Sequence, residues 1–267
     1  MYKAAFIDMD GTLLRKDHTV SEQTQKLISQ LINKGILIVP ISARPLHGMQ
    51  PILQTFIPAH IPVVSLNGSY IYHNGDIIYQ VNINAAEAEA VHQLVSEYPV
   101  TPIYYSQMDW YAHTDNPATQ KEQKITPIPV TIQPASVTLQ HWANQQNGPN
   151  KILIAGDPGH ILELEKALVN QFGRSLNIFK SQPRYVEVIQ QQASKTLAMQ
   201  MLMNKFGIAQ QEVVAIGDNY NDKDMIAFAG MGVAMGNAPD EIKQAADFIT
   251  DTNNNDGVAK ALQQFFK

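Results

Sequence analysis

Two aspartates one residue apart, Asp8 and Asp10 in Phe6-Ile7-Asp8-Met9-Asp10-Gly11-Thr12-Leu13-Leu14, stand where an apolar stretch gives way to a glycine. Carboxylates held that close repel each other unless a cation or a shared proton intervenes, so the pair calls for a divalent metal. Three further segments carry complementary chemistry. Ile41-Ser42-Ala43-Arg44-Pro45 offers a hydroxyl and a guanidinium, Ala193-Ser194-Lys195 an ammonium, and Ile216-Gly217-Asp218-Asn219-Tyr220-Asn221-Asp222 two more carboxylates. Taken singly, each has a plain explanation: Ser42 as a helix cap, Lys195 as a solvated helix charge, Asp218 and Asp222 as flanks of a polar turn. Taken together they make a site for phosphate and metal.

Phosphoryl transfer explains why these types are needed. Hydrolysis of a phosphate monoester calls for accelerations of up to ~10²¹, whereas one general acid or base contributes about 10²–10⁴. A carboxylate nucleophile divides the reaction into two steps, a metal ion neutralises the phosphoryl oxygens, and fixed donors hold them in line. Asp8 can attack, Asp10 can protonate the leaving oxygen and later activate water, and Asp218 supplies a second carboxylate to the metal. Lys195 and the Ser42 hydroxyl balance the remaining charge, helped by backbone N–H groups at the turns. An oxygen-rich ligand set favours Mg²⁺ over zinc. The eight histidines are scattered without ligand spacing.

These residues need elements to bring them together. Ala4 to Ile7 reads as a short buried strand that Gly11 lets the chain leave sharply, placing Asp8 and Asp10 near the strand's carboxyl end, where open α/β sheets keep their sites. Ser21 looks like a cap for a helix with Leu27, Ile28, Leu31 and Ile32 on its apolar face. Ile36 to Ile41 and Pro62 to Leu66 read as strands, and Tyr70 to Tyr72 with Ile77 to Tyr79 as a hairpin around Asn74-Gly75. From Ser194 the alternation returns: helix at Lys195 to Phe206, strand at Val213 to Ile216, helix at Lys223 to Ala229, strand at Gly232 to Met235. Such alternation predicts a parallel sheet covered by helices, an α/β class. Between about Val81 and Tyr185 the composition changes, with both tryptophans and half of the ten tyrosines. The boundaries drawn from this are a discontinuous core at residues 1–82 and 187–267 and an inserted α+β domain at 83–186, with hinges expected near Val81 to Asn84 and Arg184 to Val188.

Length and composition narrow the function classes. A chain of 267 residues with 45% hydrophobic residues and a formal charge of −5 has the profile of an ordinary enzyme, with no electrostatic reason to bind nucleic acid or an anionic membrane. Without cysteines, disulfides, thiolate metal sites and cysteine nucleophiles are excluded. No apolar stretch approaches the ~20 residues that span a bilayer. The expectations are a cytoplasmic protein, a monomer or small homo-oligomer, acting on a small phosphorylated metabolite.

Asp8-Met9-Asp10-Gly11-Thr12, Ser42, Lys195 and Gly217-Asp218-Asn219-Tyr220-Asn221-Asp222 resemble, in order, the four motifs of the haloacid dehalogenase-like hydrolases. Asn67-Gly68, Asn237-Ala238 after Gly236, and Thr250-Asp251 leading to Asp256-Gly257-Val258-Ala259 are similar to the Cof-type sugar-phosphatase subgroup. The resemblance implies a Rossmann-like core with helices on both faces and an inserted α/β cap. It makes Asp8 an aspartyl-phosphate nucleophile and Mg²⁺ ligand, Asp10 an acid/base whose backbone carbonyl also binds the metal, Asp218 a metal ligand, and Asp222 a nearby carboxylate partly behind the ligands. Phosphate would be held by Met9, Ser42, Ala43, Lys195 and Asn221. Asn67 and Arg44 join the substrate-binding candidates, Arg44 with pairing to a core carboxylate as its alternative role. Two departures stand out. Ser42-Ala43-Arg44 replaces the common Thr-Gly-Arg, and Ala193 replaces a glycine before the Ser-Lys pair. Serine keeps the hydroxyl, while the Ala43 methyl crowds a backbone that should approach phosphate.

The function that follows is a Mg²⁺-dependent phosphatase of sugar phosphates or similar compounds such as pyridoxal phosphate. Its rivals are a phosphomutase with the same intermediate and a non-enzymatic aspartyl-phosphate signalling module. Within the insertion, Tyr104, Tyr105, Met108, Asp109, Trp110 and Tyr111 are candidates either for choosing the leaving group or for ordinary core and surface.

Overall fold

The structure is a computed structural model and describes residues 1–126 and 128–267. In chain order the first elements are β1 (Ala4–Asp8), α1 (Glu22–Asn33), β2 (Leu37–Ile41), α2 (Leu46–Leu53), β3 (Val63–Ser65), β4 (Tyr70–His73) and β5 (Asp76–Gln80). Next come α3 (Ala85–Val95), β6 (Thr101–Ser106), β7 (Asp109–Ala112), α4 (Pro117–Ile125), β8 (Thr131–Ile132) and α5 (Ala135–Gln145). They are followed by β9 (Lys151–Ala155), α6 (Pro158–Phe172), β10 (Leu176–Gln182) and β11 (Tyr185–Gln190). The chain closes with α7 (Lys195–Phe206), β12 (Val213–Gly217), α8 (Lys223–Phe228), β13 (Met231–Ala234), α9 (Asp240–Gln244), β14 (Phe248–Ile249) and α10 (Gly257–Phe265).

Two compact units result. Unit 1 comprises Met1–Arg44, Met49–Ile78 and Ser194–Lys267; unit 2 comprises Pro45–Gly48 and Tyr79–Ala193. The division at 78/79 and 193/194 lies outside the boundaries expected from composition, and hydrogen bonds explain the difference. Asn150, fully buried, donates to the Val81 carbonyl (3.0 Å) and Ile83 N–H donates to the Pro149 carbonyl (2.8 Å), so this stretch is strapped to unit 2. At the other end β11 pairs antiparallel with both β10 and β9 through Ile189. Arg184 to Val188 runs straight into that doubly paired strand, and Val81 to Asn84 is strapped down.

The sheet that carries unit 1 has the order β14-β13-β12-β1-β2-β3-β4-β5. It is parallel from β14 to β3, and β4 then turns antiparallel to β3. β1 and β12 are buried at every residue, as central parallel strands with apolar runs should be. α1 packs on β2 and α10, and α8 packs on β12, β13 and α7. Successive strands step one way from β1 through β2 to β3 and the other way from β12 through β13 to β14. The topology therefore reverses between β1 and β12, which opens a crevice at their carboxyl ends.

Unit 2 has a sheet of order β10-β11-β9-β6-β7-β8, antiparallel except where β7 meets β8. Period-2 alternation divides its residues between two faces. Tyr104, Ile152, Ile154, Val186 and Val188 enter a core with Ala88 and Val91 of α3, Trp142 of α5, and Ile161, Leu164 and Leu168 of α6. The opposite positions hold Tyr105, Trp110, Lys151 and Glu187, all buried.

Candidate active site

Each acidic and basic candidate in unit 1 sits where a buried strand ends or a helix begins. Asp8 is the last residue of β1, and Gly11, at φ +84°, turns the chain back across the strand end. A Cβ on Gly11 would lie 2.2 Å from Asp218 Oδ2, so only glycine lets this turn press against the end of β12. Lys195 opens α7, whose cap is the Ser194 hydroxyl accepting from Leu197 N–H at 2.9 Å. Opposite it lies a turn with three successive positive φ values, Leu66 at 51°, Asn67 at 56° and Gly68 at 93°. Such a backbone costs energy for leucine and persists only where packing imposes it. Gly68 supplies the packing, since a Cβ there would stand 2.2 Å from the Ser194 carbonyl.

The charges meet at the switch point. Lys195 Nζ donates to Asp8 Oδ1 at 2.5 Å and to Asp222 Oδ1 at 2.6 Å, with all three side chains almost fully buried. The other oxygen of Asp222 accepts from the N–H groups of Asp218 and Asn219, both at 3.0 Å. Asp222 is therefore committed on both sides, to the ammonium and to the backbone of the β12 turn. Asp8, Asp218 and Asp222 each bring one oxygen to within 4.8 Å of the others. Burial, then repulsion from Asp222, raises the Asp8 carboxyl well above the usual range against the pull of Lys195. The same two causes push Asp218 up to about 7, opposed by the Thr12 hydroxyl, which donates to its Oδ1 at 3.0 Å. Burial works against the Lys195 ammonium, yet attraction to Asp222 and Asp8 outweighs it and leaves this lysine above its ordinary value.

Two buried carboxylates and a half-buried one, when ionised, outnumber the single ammonium by two charges. The donors are all hard oxygens, with no histidine in the cluster and no cysteine in the chain. A divalent cation of the oxygen-seeking kind fits both the charge and the donor set. Asp8 and Asp218 could hold it, with Asp222 bracing Lys195 beside them.

Asp10 is turned differently from its neighbour. Its carboxylate is held by a two-pronged Arg44 contact, Nε to Oδ2 at 2.7 Å and NH2 to Oδ1 at 2.6 Å, while its side chain keeps 46% exposure. Pairing with a core carboxylate, the alternative role of Arg44, is the arrangement present. The same guanidinium lies 3.3 Å from Nδ1 of His18, whose sequence neighbours do not single it out.

The remaining candidates line the loops beside this cluster. Ser42 is buried, its hydroxyl accepts from Arg44 N–H at 3.1 Å, and its carbonyl accepts from Asn67 N–H at 2.9 Å. The buried Asn67 accepts from the Asn221 amide at 3.0 Å, so it contacts a phosphate-binding candidate directly. Met9 buries its side chain and offers only backbone, its carbonyl closing the turn through Thr12 N–H and Leu14 N–H. Thr12 lies inside the first motif but had no assigned task, although a hydroxyl so close to two aspartates was a usable signal.

Of the aromatic candidates in the insertion, three are core. Tyr104 is buried and its hydroxyl sits 2.8 Å from His92 Nδ1. Tyr105 is buried with its hydroxyl on Glu122, and Trp110 stacks on Tyr105 while donating to the Ile128 carbonyl at 2.9 Å. Met108, Asp109 and Tyr111 are more accessible. No described helix is long and apolar enough to cross a membrane.

Comparison with known proteins identifies the family. The chain matches the sequence model of the haloacid dehalogenase-like hydrolase family over residues 5–262. A Haemophilus influenzae protein whose name proposes a phosphatase is 37% identical over 268 residues, covering 100% of this chain and 99% of that protein. A 5-amino-6-(5-phospho-D-ribitylamino)uracil phosphatase of Bacillus subtilis is 30% identical over 263 residues, covering 98% and 95%. Among solved structures, a haloacid dehalogenase-like hydrolase from Bacteroides thetaiotaomicron superposes with a TM-score of 0.88 at 29% identity, over 100% of both chains. With its acidic cluster at the switch point of a parallel sheet, the chain belongs to the haloacid dehalogenase-like hydrolases of the Cof type and is a phosphoric monoester hydrolase acting on a small phosphorylated compound.

Proposed function

We propose that this phosphatase is Mg²⁺-dependent, acts on sugar phosphates or similar metabolites, and works through a phosphoryl group carried on Asp8. The observation that carries the reading is the buried Asp8–Lys195–Asp222 chain with Asp218 beside it, a cluster still short of two positive charges. Bound Mg²⁺ would supply that charge, hold Asp8 ionised and neutralise phosphoryl oxygens. Asp8, Asp218 and the Asp10 carbonyl would hold it, with Asp222 behind them.

In the first step an Asp8 oxygen attacks phosphorus, the bond from phosphorus to the leaving oxygen breaks, and protonated Asp10 gives its proton to that oxygen. In the second, Asp10 takes a proton from water as the water attacks phosphorus. The bond to Asp8 breaks, and inorganic phosphate departs. Lys195 fixes one Asp8 oxygen and, with the Ser42 hydroxyl, the Met9 and Ala43 N–H groups and the Asn221 amide, steadies the phosphoryl oxygens. Arg44, forked on Asp10, orients the acid/base. Asn67 orients Asn221. Unit 2 takes the part of the cap that selects the leaving group. The ribityl phosphate in the name of the Bacillus subtilis relative supports a phosphorylated polyol or sugar as substrate.

The test is phosphate release from a panel of phosphorylated sugars, polyols, nucleotides and pyridoxal phosphate, with Mg²⁺ or with EDTA. Release that needs Mg²⁺ and favours polyol or sugar phosphates is expected. Equal release in EDTA would contradict the metal requirement, and return of the phosphoryl group to a sugar would identify a mutase instead.

A further inference from the structure

Asn237 lies in the turn after β13, and its contacts reach the two loops that carry the acidic cluster. Its amide nitrogen donates to the Gly11 carbonyl at 2.8 Å and to Asp218 Oδ2 at 3.2 Å, while its carbonyl accepts from Asn253 N–H at 3.0 Å. A main-chain N–H can only donate and a main-chain carbonyl can only accept, so these two partners fix which way the amide faces. The remaining N–H is thereby aimed at Asp218. Asn253, nearly buried, ties the same loop further along by donating from its side chain to the Leu14 carbonyl at 2.7 Å. The turn that holds Asn237 is itself pinned, with Met235 N–H on the Gly217 carbonyl and Gly236 N–H on the Asp251 carbonyl, both at 3.0 Å.

Each Asp218 oxygen then receives one hydrogen bond, Oδ1 from the Thr12 hydroxyl and Oδ2 from Asn237. A carboxylate oxygen has two acceptor sites, so both oxygens keep one, while rotation of the carboxylate plane is blocked. An uncharged donor suits this place better than a lysine, whose positive charge would compete with a bound cation.

We propose that Asn237 is a positioning residue for the cation site: it sets the Asp218 carboxylate and locks the Gly11 turn beside it, so that the two metal-holding loops are in register before the ion arrives. This rests on the divalent-cation reading given above. Groups that orient metal ligands are worth about 10- to 100-fold in metal affinity.

The experiment is calorimetric titration of Mg²⁺ into metal-free wild type, Asn237→Ala and Asn237→Ser, with thermal unfolding of each in EDTA. Asn237→Ala should raise the Mg²⁺ dissociation constant about tenfold or more. Asn237→Ser, which keeps a short donor, should fall between it and wild type, and all three should melt alike without metal. Mg²⁺ affinity unchanged in Asn237→Ala, with wild type binding normally, would overturn this role while leaving the cation reading intact. A loss of affinity matched by an equal loss of metal-free stability would overturn it too, because the residue would then be serving the fold. If wild type itself bound no Mg²⁺, the role and the cation reading would fall together.

Discussion

Both units bury a lysine against a carboxylate in a sheet, and they do it to different ends. In unit 1 Lys195 joins Asp8, Asp222 and Asp218 at the carboxyl ends of parallel strands, and its charge does not balance theirs. In unit 2 Lys151 and Glu187, 3.4 Å apart, meet diagonally across neighbouring antiparallel strands, Lys151 facing Ile189 and Glu187 facing Leu153, with Tyr105 beneath the ammonium. That pair is balanced. A parallel sheet gathers several strand ends, each with its turn, into one crevice, whereas an antiparallel ladder spreads its side chains over a face. An excess of charge at a convergence of strand ends, rather than burial of charge as such, distinguishes the reactive cluster from a structural ion pair.

Matched lysine substitutions would break that comparison most directly. Removing one partner of a buried pair costs about 3–5 kcal/mol, so Lys195→Met and Lys151→Met should each lose roughly that much stability in EDTA by denaturant unfolding. Mg²⁺ should restore part of the loss in Lys195→Met, where three carboxylates would face the ion, and none in Lys151→Met. Equal rescue of both would show that the two clusters do not differ in the way described.

A pH series sharpens the contrast further. Asp218 is raised to about 7 by burial and by Asp222, from an ordinary 3.8, so its contribution to stability is complete below about pH 4 and is lost as the pH rises through 7. His113 in unit 2 is lowered to about 4 by burial and then by His92, from an ordinary 6.5, so its contribution is complete above 6.5 and is lost as the pH falls through 4. Hydrogen exchange in EDTA between pH 4.5 and 6.5 should show protection falling with pH around β1 and β12 and rising around β6 and β7. Mg²⁺ should abolish the first trend and leave the second. Parallel trends in both units would contradict the assignments.

Helix caps give the smallest effect. Ser194 caps α7 and Asn84 caps α3, each accepting from the N–H three residues on at 2.9 Å. Replacing either by alanine should cost about 1 kcal/mol of stability. Only Ser194→Ala should slow turnover at matched folded fraction, because Lys195 follows it directly.

The same contrast explains what was legible in the sequence. Asp8, Asp218 and Asp222 lie within short strings whose glycines and flanking apolar runs encode the strand-end turns, and Lys195 follows a capping serine at the start of a helix, so their convergence followed from α/β topology. The orientation of Asp10 toward Arg44 did not, because a guanidinium on a flexible stem has many reachable partners. Asn237 and Asn253 carry no chemistry of their own, and their roles arise from which main-chain groups the fold places beside them. In unit 2 the aromatic run from Tyr104 to Tyr111 left two roles open, contact to a leaving group or ordinary core and surface, and Tyr104, Tyr105 and Trp110 serve the core. Alternation along a strand assigns faces but does not say what covers each face. The division between the units lies several residues outside the limits drawn from composition for a similar reason, since the contacts that tie residues 81–83 to Asn150 and Pro149 join positions far apart in sequence.

The most direct test of the central claim is to look for the phosphoryl group on Asp8. Wild type and Asp8→Asn would be mixed with a rapidly turned-over substrate and Mg²⁺, quenched in acid within milliseconds, reduced with borohydride and mapped by peptide mass. The account predicts that residue 8 of wild type carries the reduction product of an acyl phosphate, that Asp8→Asn carries none, and that its turnover falls by at least ~10³-fold. An unmodified Asp8 during rapid turnover, or a variant that retains most of its activity, would contradict it.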